Sequence, residues 1–127
     1  MKDLFKRIMS LGLRKKKRYK VTKEVYAKLE HAYRKNQIDE ISLGGLSFYY
    51  VENGYPIGKA SRYLKLQAGR FELIETVRFK VASDTYVGES TLPKHRIKRL
   101  SLQFDGLSFQ QRRRLKKIIH HHTIGPV

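Results

Sequence analysis

The hydrophobic period changes in the middle of residues 96–119, which read RIKRLSLQFDGLSFQQRRRLKKII. Over residues 96–104 apolar and polar residues alternate, and this pattern predicts a strand with one buried face. The side chains expected to point inward are Leu100, Leu102 and Phe104. Those expected to point outward are Lys98, Arg99, Ser101 and Gln103.

A helix is predicted directly after this strand. Ser108 and Gln111 have the spacing of a capping box, in which each side chain bonds the backbone of the other residue. Three apolar residues and one histidine then recur at helical spacing, at Leu115, Ile118, Ile119 and His122. Gly125-Pro126 is expected to stop the helix. The sequence therefore predicts a C-terminal amphipathic helix.

Five further strands are predicted upstream from the alternation of apolar residues. Their ranges are 19–29, 38–43, 46–51, 60–68 and 71–82. Lys23 is the exception to the alternation in the first of them. Six strands with short turns, and without a strand–helix–strand rhythm, favour an all-β domain with one C-terminal α-helix. We expect a small six-stranded antiparallel β-barrel.

The length of 127 residues suits one domain, which we divide into a basic lead-in at 1–13 and a folded domain at 14–127. The absence of cysteine excludes disulfides and cysteine-bound metals, and it fits a reducing compartment. No stretch resembles a secretory signal or a transmembrane segment, so we expect a cytoplasmic location. The alternative for the partly apolar lead-in is binding to a membrane surface.

The net charge of +17 is concentrated in two blocks. Residues 1–20 and residues 94–117 each contain nine Lys or Arg and one acidic residue, while the middle of the chain is nearly neutral. Two separated basic blocks indicate an anionic partner, and solvated charge that maintains solubility is the alternative. The arginines at 112–114 are interpreted first as a solvated helix face and second as a contact to a partner or to nucleic acid.

Two short segments carry groups that suit a guanine nucleotide. Arg14 and Arg18 offer guanidinium forks, which bind phosphates and the O6/N7 edge of guanine. Glu40 and Ser42 are two residues apart on a predicted strand, so they project together while Asp39 is expected to project to the opposite side. The glycines at 44–45 remove side-chain bulk where a ligand could approach.

The order of these residues resembles the signature of the PilZ domain family. Arg14 and Arg18 match its R-x-x-x-R segment, and Glu40, Ser42 and Gly45 match its [D/N]-x-S-x-x-G motif, with Glu in place of Asp or Asn. The last predicted strand and helix, LSLQFDGLSFQQRRRLKKII, also look like the end of a PilZ domain. The resemblance covers the chain from about residue 14 to the helix ending near residue 122.

This resemblance implies a bacterial receptor for the second messenger cyclic di-GMP, with Arg14, Arg18, Glu40, Ser42 and Gly45 as ligand-binding residues. It further implies that ligand binding changes the N-terminal basic loop and so regulates a downstream protein partner. Because glutamate is one methylene longer than the family's Asp, the alternative is a degenerate PilZ-like interaction module that does not bind nucleotide. A small basic nucleic-acid-binding barrel is a third hypothesis, but we do not expect nucleic acid to be a partner.

Enzymatic activity is not expected. Serine, histidine and acidic residues are present, but nothing groups them as a triad and no G-x-S-x-G elbow occurs. His120, His121 and His122 are consecutive, and successive helical residues point about 100° apart, so they cannot chelate one metal ion from one face. Apart from the ligand, we expect no cofactor and no metal.

Overall fold

The computed structural model describes residues 16–52, 61–89, 91 and 95–127. Over these residues the chain forms nine strands and one helix. In chain order they are β1 (Tyr19–Val21), β2 (Val25–Leu29), β3 (Asn36–Gln37), β4 (Glu40–Ile41), β5 (Gly45–Glu52), β6 (Tyr63–Ala68), β7 (Glu72–Glu89), β8 (Arg96–Phe104), α1 (Phe109–His121) and β9 (Thr123–Pro126).

The strands form one antiparallel sheet in the order β3-β2-β6-β7-β8-β5-β4-β1-β9, curled into a half-barrel. The all-β class with one C-terminal helix is therefore confirmed. The inner face of the sheet carries the core, to which α1 contributes Leu115 and Ile118, both fully buried. The outer face of β4, β5 and β8 points away from this core and carries polar residues.

The structure has three strands more than predicted, because one expected strand is interrupted and the short strands β3 and β9 were not expected. The expected strand 19–29 breaks between β1 and β2, at the position where Lys23 fails the alternation. There the backbone bonds other segments, since the Thr22 amide donates to the His122 carbonyl at 2.8 Å and the Gly69 amide donates to the Glu24 carbonyl at 3.0 Å. The expected strand 38–43 is likewise reduced to the two residues of β4, and β3 pairs separately with β2.

Two other differences concern the C-terminal half. β7 extends to Glu89, because its bulges near Val81 and Tyr86 allow it to follow β8 along the whole strand. The expectation that Gly125-Pro126 stops the helix is wrong, because α1 already ends at His121 and Thr123–Pro126 form β9, which pairs with β1. The capping box is confirmed: the Gln111 amide donates to Ser108 Oγ and the Ser108 amide donates to Gln111 Oε1, both at 3.0 Å.

The outward orientation expected for Lys98 is wrong. Its Nζ lies 3.1 Å from Glu52 Oε2 and 3.2 Å from Asp84 Oδ2, and Asp84 pairs in register with the core residue Leu100. Residues two apart on a strand share a face, so Lys98 lies on the side of Leu100. Its charge is tolerated there because two carboxylates pair with it.

The helix α1 spans 13 residues, and none of the described residues belongs to a helix both long and apolar enough to cross a bilayer.

Candidate functional site

A pocket of about 360 Å³ opens on the outer face of the sheet, where β4, β5 and β8 lie side by side. The residues that line it are Lys16, Arg18, Glu40, Ile41, Ser42, Gly44, Gly45, Leu46, Ser47, Ala82, Arg99, Ser101, Leu102 and Gln103. Within the described chain, the buried polar residues are Glu40, Ser42 and Ser47, and all three line this pocket. Buried polar groups are the informative exception in a protein interior, so they mark this region for function.

Four of the five predicted ligand-binding residues lie around this pocket: Arg18, Glu40, Ser42 and Gly45. The fifth, Arg14, lies outside the described residues. The two motifs come from separate parts of the sequence, and the pairing of β1 with β4 brings them together, with Lys20 opposite Glu40. The structure thus assembles one polar site from segments 22 positions apart, those of Arg18 and Glu40.

Ser42 organises the tight turn between β4 and β5. Its Oγ accepts hydrogen bonds from the amides of Gly44 at 3.0 Å and Gly45 at 3.1 Å, and its own amide donates to the Gly45 carbonyl at 2.9 Å. Local bonds of this kind are the usual way in which serine stabilises a turn. The hydroxyl therefore has a structural role in addition to its position on the pocket wall.

Gly45 is required by the packing of the sheet itself. A Cβ atom at this position would lie 2.0 Å from the carbonyl oxygen of Leu102 on β8, a distance that no real contact tolerates. At Gly44 a Cβ would meet only the flexible side chain of Lys16, at 2.8 Å. The sequence suggested that these glycines admit a ligand, and the structure gives Gly45 a more direct reason, the close approach of two strands.

Arg99 is the main residue of the pocket that the motif analysis did not assign. Its Nη2 donates to Glu40 Oε2 at 2.5 Å and to Ser47 Oγ at 2.9 Å. The guanidinium also lies against the ring of Tyr49, with 5.5 Å between Cζ and the ring centroid. Arg99 is thereby held beside the pocket by β4 and β5 together.

Asp39 belongs to the same charge network, so the expectation that it projects away from Glu40 is wrong. Lys20 Nζ lies 2.9 Å from Asp39 Oδ1 and 3.9 Å from Glu40 Oε2, and Arg99 Nη2 lies 3.5 Å from Asp39 Oδ2. Alternation does not apply because β4 begins only at Glu40. Two carboxylates are therefore surrounded by two cations at this corner of the sheet.

Lys20 keeps its charge in this network. The hydrogen bond from Lys20 to Asp39 raises the pKa of the ammonium above its usual value, and the charges of Asp39 and Glu40 act in the same direction. Lys16, Arg18, Lys20 and Arg99 outnumber the two carboxylates Asp39 and Glu40, so the surroundings of the pocket keep a positive excess at neutral pH. Such a concentration of positive charge favours an anionic ligand.

The sequence contained a local signal for the orientation of Arg99 but none for its partners. Its outward position on β8 followed from the alternation, and this part of the prediction agrees with the structure. What could not be read was the register of β8 against β5, which places Arg99 opposite Tyr49 and Ser101 opposite Ser47. Among the described residues, no three His, Cys, Asp or Glu side chains come together as a metal site.

No family model matches the chain, and no curated protein matches it. Solved structures do. The apo form of MrkH from K. pneumoniae superposes with a TM-score of 0.61 at 18% identity, covering 81% of this chain and 46% of that one. The MrkH–c-di-GMP complex gives a TM-score of 0.59 at 19% identity, covering 81% and 49%.

A second protein has the same fold. The PilZ domain of YcgR from Escherichia coli, described with c-di-GMP, gives a TM-score of 0.58 at 17% identity and covers 81% of this chain and 86% of that one. The chain thus spans about half the length of the MrkH structures and corresponds to nearly the whole YcgR domain. At these identities the comparisons establish the fold.

Proposed function

We propose that this chain, which has a PilZ-like fold, is a receptor for cyclic di-GMP that binds its ligand on the outer face of β4, β5 and β8. The observation that carries the proposal is the convergence of Arg18, Glu40, Ser42 and Gly45 on one polar pocket. The fold adds support, since two of the structural neighbours are described with c-di-GMP. The receptor is bacterial and cytoplasmic in this proposal, and it catalyses no reaction.

The cations supply the anion-binding part of the site. Arg14, Arg18 and Lys16 meet the phosphates, and arginine also stacks on a purine or bonds its O6/N7 edge with both arms of its guanidinium. Each good bidentate contact contributes roughly 1–3 kcal/mol. A micromolar complex needs about −8 kcal/mol in total, so several such contacts are required.

Glu40 has two tasks in this proposal. Its Oε2 accepts from Arg99 and holds that guanidinium beside the pocket. Its Oε1 has no hydrogen bond within the described chain, which leaves it free to accept from the N1 and N2 donors of a guanine. In this proposal the extra methylene of glutamate, relative to the Asp of the family motif, allows the Glu40 carboxylate on β4 to contact Arg99.

Binding has a regulatory consequence. The ligand bridges the segment 14–18 to the barrel, and the repositioned basic loop changes the surface offered to a downstream protein. Arg18 is the last residue of that segment, directly before β1, and its carbonyl accepts from the Val127 amide at 2.9 Å, so we propose that the repositioning affects residues before Arg18.

The second candidate function is a PilZ-like interaction module without a ligand. The observation that favours it is the Glu40–Arg99 bond, because a carboxylate and a guanidinium that neutralise each other are less available to a nucleotide. Either partner must rearrange before both can bind guanine. This candidate retains the fold and the downstream partner but assigns the pocket a structural role.

Isothermal titration of the full chain with cyclic di-GMP separates the two candidates. Micromolar or tighter binding that is lost in Arg18→Ala and kept in Lys28→Ala supports the receptor, because Lys28 is exposed on β2, outside the pocket lining. Cyclic di-AMP serves as the ligand control. Absence of heat, together with an unchanged melting temperature at millimolar ligand, rejects the receptor.

A further inference from the structure

The exposed side of α1 is a strongly cationic surface that the proposed function does not use. The helix contains five Arg or Lys and no acidic residue, and all five are exposed: Arg112, Arg113, Arg114, Lys116 and Lys117. Leu115 and Ile118 on the opposite side are buried in the core. The core lies on the inner face of the sheet and the pocket on the outer face, so this surface points away from the pocket.

The charges of α1 are not neutralised within the described chain. None of its five cations forms an ion pair with a carboxylate there, whereas Arg78 and Lys80 of the neighbouring strand β7 both lie within 4.0 Å of Asp105. Among these five side chains, Arg114 forms a hydrogen bond within the described chain, donating to the Leu73 carbonyl at 3.3 Å. Four cations therefore remain available to an external partner.

The spacing of these cations destabilises the helix when no partner is bound. Arg112 and Lys116, and likewise Arg113 and Lys117, are like charges at i and i+4, an arrangement that destabilises a helix. Arg113, Lys116, Lys117 and His120 follow the i, i+3, i+4, i+7 pattern that forms one stripe along a helix. An anionic partner with regularly repeated charge removes this repulsion along the whole stripe.

We propose that this stripe of α1 binds the phosphate backbone of double-stranded nucleic acid without reading its sequence. A 13-residue helix is about 20 Å long and 10–12 Å wide, dimensions that fit beside or within the major groove of a duplex. The proposal reverses the expectation from the sequence that nucleic acid is not a partner. It concerns a surface separate from the nucleotide pocket and stands whether or not cyclic di-GMP binds.

The composition of the exposed surface selects this partner among polyanions. A helix that inserts into a membrane surface needs apolar residues on its free side, but here Leu115 and Ile118 are committed to the core. Single strands are held mainly by stacking on aromatic residues, and the exposed side of α1 has one non-histidine aromatic, Phe109 at its first residue. Phosphate contacts by arginine and lysine remain as the available interaction.

The test is fluorescence anisotropy with a labelled duplex of mixed sequence, titrated with the full chain at several salt concentrations. In Arg113→Gln/Lys116→Gln/Lys117→Gln, we expect affinity to fall at least tenfold near 100 mM salt. The slope of log K against log salt should become shallower by about 2–3, since each lost phosphate contact removes about 0.9. The control Lys28→Gln/Arg34→Gln/Arg62→Gln removes the same charge from exposed positions outside the helix and should change affinity less than threefold.

Three outcomes overturn the proposal: equal losses in the two triple variants, no loss in the helix variant, or helix-dependent binding to phosphatidylserine vesicles without binding to the duplex. The helix variant removes like-charge repulsion, so far-ultraviolet circular dichroism should show the native helix. If the triple variant folds poorly, the single change Lys117→Gln decides the same question, with an expected slope change of about 0.9.

Discussion

Arg99 on β8 donates a 2.5 Å hydrogen bond to Glu40 on β4, although 59 positions separate the two residues in the sequence. Strand β5 lies between them in the sheet and contributes Ser47 as a second acceptor for the same nitrogen. A charge-assisted bond of this kind is shorter and stronger than a neutral one. It couples β4, which carries Glu40 of the second motif, to β8, which carries none of the five predicted ligand-binding residues.

Replacing Arg99 tests whether it takes part in ligand binding. We expect Arg99→Ala to lower the affinity for cyclic di-GMP at least tenfold, because a bidentate or stacked arginine contact contributes roughly 1–3 kcal/mol. Arg99→Lys should recover only part of this loss, since lysine has no planar fork. The matched control is Arg96→Ala on the same strand, where the side chain is exposed and outside the pocket. Titration calorimetry measures all three, and equal affinities for Arg99→Ala and the control would exclude a direct role.

Shortening Glu40 distinguishes the receptor from the module without a ligand. In Glu40→Asp the carboxylate retreats by one methylene, so we expect it to lose Arg99 while keeping its charge in the pocket. If the unaltered chain binds cyclic di-GMP, titration calorimetry should show weaker binding by this variant, and its melting temperature should be lower. A variant that gains affinity where the parent has none favours the module instead.

Gly45 and Gly88 form a matched pair for testing the packing of the site. The Cβ of Gly45→Ala would lie 2.0 Å from the Leu102 carbonyl, while a Cβ at Gly88 meets nothing within 4 Å. We expect Gly45→Ala to lower the free energy of unfolding by about 2 kcal/mol or more, in the range typical of forced overpacking. Gly88→Ala should change it by less than about 0.5 kcal/mol. Urea denaturation measures both, and similar losses would show that the β5–β8 contact is looser than described.

Thr76 is a strained residue inside β7, at the irregularity in its pairing with β6, and α1 bonds its carbonyl. Among the described non-glycine residues, it is the one with a positive φ, 56°, and Gln111 Nε2 donates to its carbonyl at 3.1 Å and to that of Glu75 at 3.2 Å. Glycine adopts such a φ without steric cost, so Thr76→Gly should stabilise the fold by up to about 1 kcal/mol.

The control for Thr76 is Thr85→Gly, in an ordinary exposed stretch of the same strand, where glycine should destabilise. Gln111→Ala removes the bond from the Ser108 amide to Gln111 Oε1, which is half of the capping box, together with the two bonds to β7, and we expect a loss of about 1–2 kcal/mol. Chemical denaturation of the three variants decides the matter. If Thr76→Gly is less stable than the unaltered protein, the positive φ of Thr76 does not strain the fold.

Alkaline pH should destabilise the protein through Tyr50. Burial raises the pKa of its phenol, and the hydrogen bonds of 2.8 and 2.9 Å to Asp84 add to the effect. A group whose pKa is raised by folding contributes stability that is complete below the unfolded value, near 10.0, and is lost as pH rises above it. Stability measured by urea denaturation should therefore fall more steeply between pH 9.5 and about 11 in the unaltered protein than in Tyr50→Phe. Parallel curves for the two proteins would contradict this assignment.

Local patterns were sufficient for much of the fold and part of the site. The alternation predicted both bounds of β8, and the capping box predicted the start of α1, because both patterns depend on residues that are neighbours in sequence. The break of the strand at residues 22–24, the shortness of β4 and the existence of β9 depend on partners far away in the chain. Arg99 could not be assigned for the same reason, since only strand register places it opposite Tyr49.

The pairing of β9 with β1 has a consequence for synthesis on the ribosome. β1 has only three residues, and Tyr19 pairs on one side with Ile41 and on the other with Pro126. Such a short strand gains much of its support from β9, which is translated after every other strand of the sheet. The wall of the pocket that contains Arg18 is therefore expected to be complete only when β9 has emerged, and a nascent chain that still lacks β9 is expected to bind the proposed ligand poorly.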